Sequence, residues 1–172
     1  PVPDAFYHPT EKLPPQVAAI HAERDEGRAS MDGQRAFACT EDQAREAIAL
    51  NYGSITMIDD QIGRVLATLE ETGLAENTVV AFTTDHGDFM GDHQLMLKGP
   101  AHYHGLIRVP FIWADPDAGN EGARTDLLSG TLDVGRTILA RAGLQPYHGM
   151  QGFDVAGAAR SGAPLPRLGM VL

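Results

Sequence analysis

The 172-residue chain is expected to fold as an α/β protein on a mainly parallel sheet, and three observations carry that expectation. First, two short runs, residues 77–84 (NTVVAFTT) and 109–114 (VPFIWA), are rich in β-branched and aromatic residues and do not alternate with polar ones. Such runs suit strands covered on both faces. Second, between residues 44 and 69 apolar side chains recur mostly three or four apart, the period of an amphipathic helix. Third, a helical pattern over 124–142 is followed by the strand-like LGMVL of 168–172, so helices and strands alternate along the chain.

Residues 1–15 are proline-rich and aperiodic, which reads as an extended leading segment. Residues 21–38 are polar and glycine-interrupted, with room for at most a short helix. Thr40-Glu41-Asp42-Gln43 has the form of a capping box, a hydroxyl at the N-cap and a Gln three residues on. The long helix it opens runs to Thr72, with a place to bend near Gly53 and Gly73 set to end it. On the later helix Leu128, Leu132, Ile138 and Leu139 form the expected inward face, and residues 145–166 read as Gly/Pro-rich loop. Internal repeats are absent from the sequence. Residues 1–172 thus read as one partial domain, with 1–39 an extended, irregular lead and 40–172 the α/β portion. The Pro-Val-Pro opening and the apolar finish at Met170-Val171-Leu172 suggest an excised piece.

Composition excludes some functions. A formal net charge of −10 offers no basic face for neutralising phosphates, so a nucleic-acid partner is not expected. It leaves room for a small anionic substrate, since local potential can oppose the global sign. No window approaches the roughly 18 apolar residues of a membrane span. The lone cysteine, Cys39, rules out a disulfide within the chain. A soluble protein of cytoplasm or periplasm is expected, the compartment being left open.

The chemistry concentrates in 81-AFTTDHGDFMGDHQLMLKGP-100. Asp85 and His86 stand side by side where a strand ends, the place where open α/β sheets bind ligands. Together they offer a metal ion a hard oxygen and a borderline nitrogen. A carboxylate beside an imidazole also suits an acid–base pair, or simply a helix N-cap followed by a surface histidine. Gly87 permits a sharp turn after the pair, and Lys98 puts a cation a dozen residues on.

The ordered set of segments 51-NYGSITMIDDQIGRVL-66, 69-LEETGLAENT-78, 83-TTDHGDFMGDH-93, 98-KGP-100, 107-IRVP-110, 132-LDVGRTIL-139 and 150-MQGFD-154 resembles the sulfatase family within the alkaline-phosphatase-like superfamily. The resemblance covers roughly residues 45–160 and implies part of a three-layer α/β/α sandwich with a mainly parallel sheet. It implies that Asp85 and His86 ligate a divalent metal and that Lys98 contacts the anionic oxygens of the ester. Many members carry Asn in place of His86 and use calcium or magnesium. Histidine there is common in phosphonate and phosphate ester hydrolases that accept manganese or zinc. Asp92 and His93 match a loop that shapes the site, and His102 and His104, flanking Tyr103, fall where substrate-pocket residues occur.

The family's nucleophile, a formylglycine made within Cys/Ser-x-Pro/Ala-x-Arg, has no counterpart here. The only cysteine reads Cys39-Thr40-Glu41-Asp42-Gln43 and is expected to be a packing residue. The acidic pair that completes the family's metal site is also missing. The resemblance therefore implies a later part of the catalytic domain, inactive alone, from a metal-dependent sulfuric-ester hydrolase acting on a small anionic sulfate ester. Two other readings stand beside it: a phosphonate or phosphate ester hydrolase of the superfamily, and a catalytically dead α/β binding module. Strand edges exposed on such a piece favour pairing with a second copy, so a homo-oligomer is expected.

Overall fold

Thr40 sets the start of the dominant element. Its hydroxyl accepts from the Gln43 amide at 3.3 Å, and the Gln43 side chain accepts the Thr40 amide at 2.9 Å, closing the expected capping box. From there a helix runs unbroken from Glu41 to Glu71, through Gly53, and Gly73 adopts φ +69° just past its end. The computed structural model describes residues 1–29, 33, 35–119 and 122–167. The strand expected at 168–172 lies outside the described residues. The helices are α1 (Pro15–Asp25), α2 (Glu41–Glu71), α3 (His104–Ile107), α4 (Thr131–Arg141) and α5 (Val155–Ser161). The strands are β1 (Phe37–Ala38), β2 (Val80–Thr83), β3 (Leu95–Met96) and β4 (Phe111–Ala114).

The chain forms two units, one of residues Pro1–Thr72 with His86–Val109, the other of Gly73–Asp85 with Pro110–Leu172. In the first, β1 pairs antiparallel with β3, Phe37 opposite Met96 and Ala38 opposite Leu95. Apolar residues bury on either side of this ribbon. Val17, Ala38, Phe89, Leu95, Ala101 and Leu106 form one cluster; Val2, Phe6, Cys39, Ala44 and Met96 form another. Leading residues expected to be extended or only briefly helical carry α1, which starts on Pro15. Proline is pre-organised for a first helical turn because it has no amide to leave unpaired. Along α2 only Ala44 is buried; the periodic Ile55, Ile58, Val65 and Leu66 are exposed.

In the second unit β2 pairs with β4 antiparallel, Val80 opposite Ala114 and Thr83 opposite Phe111. The parallel pairing expected from sequence does not appear among the described residues. A parallel pair needs a crossover of a dozen or more residues that returns the chain, usually a helix. Residues 84–110 hold the four-residue α3, the two-residue β3 and one 3₁₀ turn, with no helix long enough to return the chain. Phe82 and Ile112, paired on one face, are both exposed, so this ribbon is not covered on both faces. The family's fold is nevertheless shared, as the structural likenesses below show.

Helix α4 inverts its expected face. Leu128, Leu132 and Ile138 are exposed, whereas Asp133 and Thr137 are wholly buried. Asp133 accepts the Gly130 and Phe153 amides at 2.8 Å each and pairs with Arg167. The loop expected over 145–166 contains α5, capped by the Asp154 carboxylate, which accepts the Gly157 amide at 2.9 Å.

Candidate functional site

Asp85 follows β2 by two residues, as a strand-end site requires, and is exposed. Thr84 donates its hydroxyl to the Asp85 carboxylate at 3.2 Å. The peptide bond from Asp85 to His86 carries the chain out of the second unit and into the first. There the half-buried His86 places Nδ1 2.7 Å from the Gly87 carbonyl. A carbonyl only accepts, so Nδ1 carries the hydrogen and Nε2 keeps its lone pair. That lone pair accepts from the Lys98 ammonium at 2.9 Å. Two of the residues singled out by sequence thus meet directly.

The loop between them is held by groups that sequence reasoning passed over. The Asp88 carboxylate accepts the amides of Met90 at 2.8 Å and Leu97 at 3.1 Å, tying the two limbs together. Phe89, 1% exposed, anchors it in the first core cluster. Met90, His93, Gln94 and Leu97 all have positive φ, between 44° and 65°, unusual for residues with a Cβ. An Asp two residues before a strained turn is an Asx signature and was the available signal. Gly87 serves a different end from the sharp turn expected. Its amide donates to the Leu106 carbonyl at 2.7 Å, and a Cβ on it would lie 1.9 Å from the Gly105 carbonyl oxygen.

His93 stacks on Tyr103, with ring centroids 3.7 Å apart, and its carbonyl accepts from His21 Nε2 at 3.0 Å. His93 Nδ1 is buried with no hydrogen-bond partner. Burial pushes the pKa of both histidines below the ordinary value. His21 is a buried packing residue, while His8 and His148 are exposed. Asp92 accepts the Gly105 amide at 3.3 Å. His102 and His104 are exposed, and neither lines the groove that holds Lys98. Cys39 is wholly buried, and burial pushes its thiol up to about 11, which withholds a thiolate nucleophile.

The donors suit a divalent ion in kind. An imidazole whose Nδ1–H is committed to a backbone carbonyl presents Nε2 in the ligating tautomer. In number they fall short. Among the described residues no group of three or more His, Cys, Asp or Glu is arranged to hold a metal. Nor is any described helix long and apolar enough to cross a membrane.

The sulfatase family model matches residues 8–144. The chain belongs to the sulfatase family. Among curated sulfatases and their kin, it is 40% identical over 114 residues to an arylsulfatase of Clostridium perfringens, covering 64% of this chain and 24% of that one. It is 33% identical over 126 residues to a multifunctional alkaline phosphatase superfamily protein of Trinickia caryophylli, covering 72% and 24%. The sulfatase chain described here thus spans about a quarter of the length of these relatives. Among solved structures, a Bacteroides thetaiotaomicron protein assigned to the sulfatases matches with TM-score 0.76 and 26% identity, over 96% of this chain and 35% of that one. The phosphonate monoester hydrolase of Agrobacterium radiobacter matches with TM-score 0.68 and 29% identity, over 74% and 25%.

Proposed function

We propose that this chain is the part of a metal-dependent sulfuric-ester hydrolase that supplies two metal ligands, Asp85 and His86, and an anion-binding lysine, Lys98. The observation that carries the proposal is the 2.9 Å contact between Lys98 Nζ and His86 Nε2. Lys98 donates to the lone pair that a metal would take, so the cation and the ligating nitrogen lie within one hydrogen bond of each other, and with a metal on Nε2 the ammonium would turn to an ester oxygen. When bound, a divalent ion would polarise the ester and stabilise charge on its oxygens. The Gly87 carbonyl holds Nδ1–H, so Nε2 is in the ligating tautomer and is released to a metal once Lys98 turns away. Lys98 then pairs with an ester oxygen as negative charge grows in the transition state. The Asp88 clamp keeps Lys98 at a fixed distance from His86. The nucleophile and the remaining metal ligands come from residues outside this stretch, and the chain by itself is inactive. Its partner is a small sulfate ester.

A second reading, phosphonate or phosphate ester hydrolysis, is favoured by one feature. His86 supplies nitrogen rather than oxygen, which suits manganese or zinc better than calcium or magnesium. Hydrolysis of 4-nitrophenyl sulfate and of 4-nitrophenyl phenylphosphonate by the intact protein, with bound metal measured by mass spectrometry, separates the two. Dominant sulfate turnover, reduced at least a hundredfold in His86→Ala and Lys98→Ala, supports the first reading. Dominant phosphonate turnover supports the second. Turnover of neither substrate, with no metal bound, would establish a catalytically dead binding module.

A further inference from the structure

We propose that Arg35 is a specificity-determining residue that takes a second anionic group of the substrate beside the group held at Lys98. The inference rests on the reading of Lys98 as the anion contact. Pairing of β1 with β3 lays the chain before Phe37 alongside the chain after Met96. The ladder ends at Met96, and the next residue, Leu97, turns the chain away with φ +65°. Beyond that turn Gly99 packs on Ala36, where a Cβ on Gly99 would lie 2.7 Å from the Ala36 Cβ. Arg35 and Lys98 are the chain neighbours of this contact, one on each segment. They open on the same groove, of about 360 Å³, which Glu23 also lines.

Two cations and one carboxylate leave this groove positive on a chain whose net charge is −10. A local sign opposite to the global one draws small anions to that spot and away from the rest of the surface. Like charges on facing segments repel, and an anion between them removes the repulsion. Arg35 is exposed and makes no ion pair among the described residues, so its five donors are free to fork around a carboxylate or sulfate. Lys98 is already engaged with His86 and addresses one oxygen cluster as a point charge. The substrate class that satisfies both is a sulfate ester bearing a second fixed anion on the same ring, rather than a monoanionic ester.

The test is calorimetric titration of the intact, metal-loaded protein with benzene-1,3-disulfonate and with benzenesulfonate. The wild type is expected to prefer the disulfonate by about tenfold or more, as a charge-assisted contact gives. Arg35→Ala should lose most of that preference and Arg35→Lys retain part of it. Arg64→Ala, which removes an exposed cation from α2, should retain it in full. A wild type without preference, an Arg35→Ala protein that keeps it, or an Arg64→Ala protein that loses it equally would each overturn the proposal. Failure of the hydrolytic reading shows separately, as absent turnover of 4-nitrophenyl sulfate while the Arg35-dependent preference persists.

Discussion

Replacing Asp133 with alanine should open the second unit around α4. The carboxylate is wholly buried and takes four hydrogen bonds: two backbone amides at 2.8 Å and the Arg167 guanidinium at 2.9 and 2.5 Å. Arg167 is itself 9% exposed and lies over the Phe153 ring, 4.6 Å from its centroid. Removing one partner of a buried ion pair costs about 3–5 kcal/mol, because the other charge stays out of water unpaired. Each stranded amide adds about 1 kcal/mol or more, offset in part by water entering the space left by the carboxylate. A net loss of about 4 kcal/mol is expected, a large share of the roughly 5–15 kcal/mol that holds a typical domain. Native-state hydrogen exchange on the intact protein reads this locally. Amides near Gly130 and Phe153 should exchange about a thousandfold faster, since 1.4 kcal/mol is a factor of ten. Arg167→Met should cost far less in the Asp133→Ala background than alone, the signature of a coupled pair. An acceleration below tenfold, or strict additivity of the two changes, would refute the hub.

Other outcomes follow from the same physics. His21 and His93 have pKa values held down by burial, so the unfolded chain binds their protons more readily. Stability should be full above the ordinary histidine value of about 6.5 and fall as pH drops below it, and a denaturation midpoint that is flat from pH 7 to 5 would contradict this. Gly87→Ala forces a methyl onto the Gly105 carbonyl. It should cost about 2–3 kcal/mol or displace the loop, seen as a lowered melting temperature together with lost metal binding. Cys39, with its thiol at about 11, should be about one part in a thousand thiolate at pH 8. It should resist iodoacetamide until the protein is unfolded; rapid alkylation of the native state would show that the site opens.

One helix declares itself through local chemistry: the Thr40–Gln43 box and Gly73 bracket α2 as periodicity requires, while α1 and α5 fall in segments read as extended or loop. The strand end at Asp85 was also legible, from position, whereas the family resemblance assigned His86 and Lys98 separate roles and did not foretell their direct contact. What pairs with what was not. Runs 77–84 and 109–114 look like parallel core strands, yet strand direction is decided by the connection between them, which period and composition do not record. The face of α4 misled for another reason: apolar periodicity assumes that burial follows hydrophobicity, and here a carboxylate is buried because Arg167, 34 residues away, completes it. Arg35 carried no motif. Its place beside Lys98 depends on a two-residue ladder and the bare Cα of Gly99.

The run of left-handed residues between Met90 and Leu97 has a consequence for how this loop tolerates change. Each costs about 1–2 kcal/mol of backbone energy that the Asp88 clamp and the Phe89 anchor must restrain. The loop is in effect a loaded spring, and a peptide copied from it would relax into some other shape. Glycine at Met90 or Gln94 would release the load and make the protein harder to melt, while loosening the grip that keeps Lys98 against His86. Selection for heat resistance and selection for turnover would therefore pull these few positions in opposite directions, and a laboratory lineage evolved for one should record its losses in the other here first.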